Sequence, residues 1–398
     1  MRSSKEIELT SAGMEALQAG DAAKARTCFE AAAQADKTSI KSWTGLAMAC
    51  KQLGDTTATL TAVDEILKLD PQNVRALLIK GDHYCELNDL RAAAAYYGHA
   101  VTLVNNAGTI PPGLSADIQH ARDMQAKFIA IFYQHLDSSL RVAGYDPATS
   151  SKRFTHSLEL LQGKKQRQVE QQQFVQMPHV HFFPGLPLIQ FYPREDFSWM
   201  DKVESATDDI CQELLAILEL GGEEFEPYIQ GNANRPQKTS ADLLNSQDWT
   251  SCYLWKNGTP VPEMVERCPK TMAALAEAPL TRIKGRSPSI LFSRLEPGAK
   301  ILPHTGLLNS RLICHLPLIV PDGCGFRVGG ETREWVKGKA WAFDDSINHE
   351  AWNSSDRTRI ILLFDIWRPE MTGEECKLVA ALLEAVDSFK NDVSVPAR

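Results

Sequence analysis

The sequence predicts a multidomain α + β chain, an N-terminal helical solenoid followed by a jelly-roll or barrel of short strands. Three observations predict it: a 34-residue repeat in the first hundred or so residues, a change of texture near residue 175, and short apolar segments separated by turn signals between Ser289 and Trp367. At 398 residues the chain is long enough for two or three separate cores.

Composition narrows the class. The chain is 43% hydrophobic and 23% charged, as globular proteins are. Its 42 Lys+Arg against 50 Asp+Glu give a net charge of −8, which argues against a nucleic-acid backbone as main partner. Met1-Arg2-Ser3-Ser4-Lys5-Glu6-Ile7-Glu8 has no apolar run behind its basic residues, so no secretory signal is expected. The longest apolar stretch, Ile360 to Phe364 and on to Trp367, is broken by Asp365 and falls far below the ~20 residues of a membrane span. Nine cysteines, an odd number without a CxxC pair, favour free thiols in a reducing, cytoplasmic setting.

The repeat rests on Gly20-Asp21, Gly54-Asp55 and Asn88-Asp89, each 34 residues from the next between stretches of helical apolar spacing. Gly54 as an inter-helix turn puts Trp43 and Leu46 on a first helix, Val63 and Ile66 on a second, and Pro71 at the exit. The other copies give Gly13, Ala25, Phe29 and Ala32, then Gly81, Tyr84, Ala93, Tyr97 and Ala100. Small residues where helices cross and large ones filling the gap are what a stacked helix pair requires. Over about residues 5–105 this pattern resembles the tetratricopeptide repeat. Trp43, Tyr84, Phe29 and Tyr97 then read as solenoid core, and the concave face is left for a peptide, a dimer partner or the rest of the chain.

After a break over Asn105–Pro112, Ser115-Ala116-Asp117 caps a helix running to about Leu140, and a second helical stretch covers Phe154–Leu161. A polar run follows, from Gly163-Lys164-Lys165-Gln166-Arg167-Gln168 to Gln171-Gln172-Gln173. The expected domains are residues 1–105 for the repeats, 106–175 for a helical connector and 176–398 for the β domain. Within the last, strands are expected at Ile290–Leu295, Leu312–Val320, Gly325–Val328, Arg333–Val336, Ala340–Phe343 and Arg359–Trp367, with Pro297-Gly298, Pro321-Asp322-Gly323 and Lys337-Gly338 as turns.

Three of the chain's ten histidines, His304, His315 and His349, lie in this region. His304 precedes Thr305-Gly306 at a strand edge or turn, and His349 ends the polar segment Asp344-Asp345-Ser346-Ile347-Asn348. Two neutral imidazoles brought together can hold a divalent metal, but spacing alone favours ordinary loop or hydrogen-bonded histidines. Arg359 is more telling, because strand alternation sets it on one face with Ile361 and Leu363. A guanidinium among aliphatics needs an anion, either Asp344, Asp345 or another core carboxylate, or a carboxylate-bearing ligand. Alternation likewise groups Arg311, Ile313 and His315. Asp344 and Asp345 read either as partners orienting His349 or as a solvated turn. His179-Val180-His181 would put both rings on one strand face; with no acidic ligand nearby the pair reads as surface or domain-junction residues. Cys314 and Cys324 read as core thiols.

The run Ser293, Pro297-Gly298, His304-Thr305-Gly306, Asn309, Arg311-Leu312, His315-Leu316, Pro321, Gly323-Cys324, Glu331-Thr332, Trp335, Gly338-Lys339, Phe343-Asp344-Asp345-Ser346, His349-Glu350, Trp352, Arg359, Asp365, Trp367 and Pro369-Glu370 resembles the aspartyl/asparaginyl β-hydroxylase family. The similarity is dense over about residues 285–371 and thinner upstream, at Asp248-Trp249, Leu254-Trp255, Gly258 and Cys268-Pro269-Lys270-Thr271. It implies a double-stranded β-helix (jelly-roll) dioxygenase using Fe(II), 2-oxoglutarate and O2. By position His304 and His349 match the iron ligands, and with Arg359 they make the implied catalytic set. Ser293 and Arg359 match the anchors of 2-oxoglutarate, and His315 and Trp249 match further co-substrate contacts; Arg311 is placed with them. Most non-haem iron oxygenases add a carboxylate two residues after the first histidine; here that place is Gly306, a departure the family shares, with water expected in the vacancy. The animal enzymes carry basic residues where this chain has Leu291 and Ile313, which puts an acidic substrate in doubt and leaves Arg311 and Arg294 as substitutes.

The resemblance thus implies hydroxylation of an amino-acid side chain in a peptide or protein, with succinate and CO2 as co-products. A repeat-based interaction protein with a non-catalytic barrel, a hydroxylase of a free amino acid or lipid, and a cupin-like metal enzyme without 2-oxoglutarate remain the alternatives.

Overall fold

A computed structural model describes residues 4–168, 173–229 and 245–389; Gln171 and Gln172 of the polar run lie outside them. Its described residues form two compact units, one reaching to Gln134 and including Phe389, the other running from His135 to Ser388.

In the first unit the 34-residue repeat becomes three helix hairpins: α1 (Ser4–Gln18) with α2 (Ala22–Ala35), α3 (Ile40–Gln52) with α4 (Thr56–Leu69), and α5 (Val74–Glu86) with α6 (Leu90–Ala107). The repeated dipeptide has two tasks. Gly20, Gly54 and Asn88 turn the chain with positive φ of 78°, 72° and 57°. The aspartate that follows caps the next helix: Asp21, Asp55 and Asp89 accept the backbone N–H of Lys24, Ala58 and Ala92. Phe29 and Tyr97 are fully buried and lie against Gly45 and Gly81, where a Cβ would collide with their rings. Trp43 and Tyr84 depart from the expected core and are only partly buried. The Trp43 indole donates to the Lys37 carbonyl at 2.9 Å and Tyr84 stacks on Tyr96, so their polar ends stay near water. The connector helix α7 (Ser115–Val142) starts in this unit and ends in the next.

The second unit adds α8 (Lys152–Leu161), α9 (Met200–Ser205), α10 (Thr207–Glu219), β1 (Glu226–Pro227), β2 (Trp249–Lys256), β3 (Thr259–Pro260), α11 (Pro262–Arg267) and α12 (Pro269–Ala274). Then come β4 (Ile290–Leu295), β5 (Lys300–His304), β6 (Arg311–Ile319), β7 (Cys324–Val328), β8 (Glu331–Glu334), β9 (Trp341–Phe343), β10 (His349–Asn353), β11 (Arg359–Trp367) and α13 (Gly373–Ser388). One sheet has the order β1-β2-β4-β11-β6-β9, with β3 on β2, and the other β5-β10-β7-β8. The pairings within both are antiparallel.

Leu295, Ile313 and Ile361 of the larger sheet form one apolar cluster with Phe326, Val328 and Ala351 of the smaller. Phe292, Leu316, Leu362 and Phe364, on the other face of the larger sheet, pack with Leu214 and Ile217 of α10 and Met264 of α11. Two facing antiparallel sheets around one core are the jelly-roll the strand texture predicted. β4 and β11 have the expected bounds; β2, β5 and β10 were not expected as strands, since β5 is exposed at four of its five positions and β10 carries His349, Glu350 and Asn353 among its five residues, so neither of these two reads as an apolar run.

Candidate active site

Sheet register makes the histidine pair. β10 runs antiparallel to β5 with His349 directly opposite His304, and the two rings lie 4.1 Å apart between centroids. Each Nδ1 meets the carbonyl two residues earlier, His304 on Leu302 at 2.8 Å and His349 on Ile347 at 2.9 Å. A carbonyl only accepts, so each Nδ1 carries the proton and each Nε2 keeps a lone pair, as a metal ligand must. Burial, with the neighbouring His304, lowers the pKa of His349 to about 3, so it is neutral at ordinary pH.

The same domain holds a buried cation with no carboxylate partner among the described residues. Arg359 is 1% exposed, and one Nη donates to the Ser293 carbonyl at 3.2 Å and to its hydroxyl at 3.4 Å. Its guanidinium carbon sits 4.9 Å from the Trp335 ring centre, and its Nε has no hydrogen-bond partner among the described residues. The expected alternative, an ion pair with Asp344 or Asp345, is not formed. Asp344 is held by Arg368, Gln176 and Ser346, and Asp345 lies against Arg311. Burial lowers Arg359 to about 10, and it remains charged at neutral pH.

Ser293 also accepts the Trp249 indole N–H at 3.2 Å. Trp249 stacks on Tyr228 at 4.1 Å and lies 6.4 Å from His304. His315 is buried among Phe326, Trp335 and Phe343, where the Trp335 N–H reaches its Nδ1 in a long 3.4 Å contact. Burial and the nearby Arg359 keep it neutral.

A second charged group faces the same interior. Leu363 pairs with His315 and Asp365 with Ile313, so Asp365 shares the inner face with Arg311, and Arg311 meets it at 3.2 Å. Asp345 lies 3.5 Å from the other Nη of Arg311. Burial raises Asp345 to about 7, and its Oδ1 has no hydrogen-bond partner among the described residues. The Asp345 carboxylate also occupies the space a Cβ on Gly306 would need. Among the described residues no three His, Cys, Asp or Glu side chains gather into a metal-binding group.

The family model for aspartyl/asparaginyl beta-hydroxylase matches residues 204–369, which include every side chain just placed around the two histidines apart from Gln176. Residues 204–369 of the second unit are thus similar to this hydroxylase family. Similar relatives include the mouse aspartyl/asparaginyl beta-hydroxylase, 37% identical over 142 residues, 35% of this chain and 19% of the relative. The aspartate beta-hydroxylase domain-containing protein 2 of Xenopus tropicalis is 30% identical over 206 residues, 50% of this chain and 53% of the relative. The ornithine lipid ester-linked acyl 2-hydroxylase of Rhizobium tropici is 34% identical over 182 residues, 45% and 60%. The chain therefore spans from about a fifth to three fifths of the length of these relatives.

Within the second unit the structure gathers His304, His349, Ser293, Arg359, His315 and Trp249 around one interior, with Arg311 bound to two aspartates. Arg294 does not join them. It pairs with Ile360 on the outward face of β4, where it bonds Thr250 and Glu296. His179 and His181 part company too: His179 is exposed beside Thr305, while His181 is buried with neither ring nitrogen partnered among the described residues. Sequence reasoning missed Tyr228 and Asp365 as neighbours of the site, and named Asp345 as a partner of His349 or Arg359 but not of Arg311. Asp365 carried a signal, since an aspartate inside the apolar run of β11 is the same anomaly as Arg359.

Proposed function

We propose that this chain is an Fe(II)- and 2-oxoglutarate-dependent dioxygenase that hydroxylates an amino-acid side chain in a peptide or protein. What carries the reading is Arg359, a buried cation without a carboxylate, beside Ser293 and on the interior that holds the histidine pair. A dicarboxylate co-substrate supplies the missing anion: its distal carboxylate would pair with Arg359 and accept from Ser293. His304 and His349 would hold the iron through Nε2, each oriented by a backbone carbonyl. Iron held there would supply O2 activation coupled to oxidative decarboxylation of 2-oxoglutarate to succinate and CO2, one oxygen atom going to succinate and the other to the substrate C–H bond.

The chain's own share is orientation and exclusion of water. Trp249 and Tyr228 wall the side near His304, while Phe326, Trp335 and Phe343 surround His315 and leave the co-substrate region dry. A peptide or protein substrate is supported by the helix hairpins, where α3 to α7 line a groove of about 630 Å³ that includes Lys51, Asp82, Glu86 and Asp117. A lipid substrate is the second reading, favoured by the similarity to an acyl 2-hydroxylase.

The test is anaerobic binding of Fe(II) and 2-oxoglutarate, then succinate release under air. Arg359→Ala is expected to weaken 2-oxoglutarate binding at least about tenfold while retaining iron, because removing one partner of a buried charge pair costs several kcal/mol. His349→Ala is expected to abolish succinate release. Unchanged 2-oxoglutarate affinity in Arg359→Ala would sink the assignment.

A further inference from the structure

The polar run after α8 helps to build a cavity that the dioxygenase chemistry does not use. α8 sets His156 and Leu160 on one face, four residues apart. The chain leaves the helix through Gly163, at a φ of 69°, with the Lys164 N–H on the Glu159 carbonyl at 2.9 Å. That turn lets Lys165 and Arg167 line the same cavity as the two α8 residues. A further wall comes from residues 182–188, through Phe182, Pro184 and Leu186 among others. The space measures about 830 Å³, the size of a small-molecule pocket. None of His304, His349, Ser293 and Arg359 lines it.

The walls are fixed by polar groups that are already satisfied. The Gln176 amide donates to the Pro187 carbonyl at 3.1 Å and to Asp344 at 2.7 Å, and Arg368 donates to the same Pro187 carbonyl at 2.8 Å. The pocket is therefore preformed, and an occupant need not order it.

Charge decides the kind of occupant. His156, Lys165 and Arg167 line the pocket, and among the described residues no aspartate or glutamate does. Lys165 is matched by Glu159 at 2.7 Å. Arg167 has no carboxylate: it meets the Gln176 carbonyl, the Met177 sulfur at 3.7 Å and the Phe182 ring, whose centre lies 3.8 Å from the guanidinium carbon. Its buried Nε has no hydrogen-bond partner among the described residues. Arginine keeps its charge at neutral pH, so this half-enclosed guanidinium retains donors for an anion. A free inorganic anion would leave the apolar wall of Leu160, Pro184 and Leu186 uncovered, and a neutral apolar molecule would leave Arg167 unmatched.

We propose that this pocket binds an amphipathic small molecule, an anionic carboxylate or phosphate head group on an apolar body, with Arg167 holding the head group and Leu160, Pro184 and Leu186 covering the body. The site stands apart from the iron and 2-oxoglutarate reading and does not depend on it.

The test is isothermal titration of the full, metal-free chain with four monomeric probes: decanoate, decyl phosphate, decanol and inorganic phosphate. At least one of the two amphipathic anions is expected to bind at least about tenfold more tightly than both decanol and inorganic phosphate, because the charge-assisted hydrogen bond and the apolar burial each contribute a factor of that size. The tighter of the two names the head group. Arg167→Gln is expected to weaken the anions at least about tenfold and leave decanol unchanged. Leu160→Trp, which fills the space with Arg167 intact, is expected to weaken all the alkyl probes, and it decides the matter should Arg167→Gln fail to fold. Arg359→Ala is expected to leave anion binding as it was. Equal binding of the anions and decanol, binding of inorganic phosphate as tight as that of the amphiphiles, or no binding of any probe overturns the proposal. Anion affinity that survives both pocket variants, or that is lost in Arg359→Ala alone, places the ligand elsewhere and overturns it too.

Discussion

At the residue scale, the decisive fact is that Gly306 and Asp345 share one space. The position two residues after His304 has no side chain because another residue's carboxylate fills the volume. Gly306→Asp is therefore expected to destabilise the fold by about 1–3 kcal/mol through overpacking and like charge, read as a shift in the urea midpoint. Combining it with Asp345→Ala should restore most of the loss, and a double-mutant cycle without coupling would refute the shared volume. Sequence could not show this. Asp345 and Gly306 are 39 positions apart, and their contact exists because β5 and β10 bring the segments next to them together. Arg359 is the opposite case: its charge among aliphatics was anomalous in the sequence itself, and the structure removes its two proposed protein partners.

At the element scale, the helix hairpins were legible because one dipeptide does the same local job three times. Turn and cap lie within four residues of each other, so the 34-residue period records local physics. Asp55→Ala is expected to cost about 1 kcal/mol, the usual price of a lost N-cap, with the ion pair to Arg26 contributing little because both side chains are about a third exposed. Gly45→Ala should cost more, about 1–3 kcal/mol, because its Cβ would enter the Phe29 ring. Urea unfolding of each variant checks the ranking. Among the strands, β4 and β11 were readable as continuous apolar runs buried on both faces. β5 and β10 were not, since β5 is exposed at four of its five positions and β10 mixes His349, Glu350 and Asn353 with Ala351 and Trp352.

For the whole molecule, histidine burial sets a pH dependence. Burial holds His181, His315 and His349 below their ordinary range, to about 4 for His181 and about 3 for His349. The unfolded chain therefore binds protons near pH 6.5 that the folded chain refuses. Stability is full above that pH and is lost as pH falls toward the folded values. The metal-free chain is expected to melt lower at pH 5 than at pH 7.5. His181→Leu should shrink that difference by up to about 2 kcal/mol, from 1.36 kcal/mol per pH unit; thermal melts at the two pH values measure it. Added Fe(II) should raise the melting temperature at pH 7.5 and lose that effect in His304→Ala. Charge also bears on the chain as a whole: net −8 argues against nucleic acid, and among the described residues no helix is long and apolar enough to cross a membrane.

The sequence by itself determined the helical repeat, the jelly-roll texture, the anomalous Arg359 and, through resemblance, the histidine pair. These are set by local periodicity, by turn and cap chemistry, and by residue types in fixed order. Tertiary structure alone decided which charges meet: Arg311 with Asp345 and Asp365, Asp344 with Arg368, Arg294 turned outward, and Arg359 left without a carboxylate. Ion pairing depends on which strands are neighbours and in what register, and a shift of one residue would send each of these side chains to the opposite face.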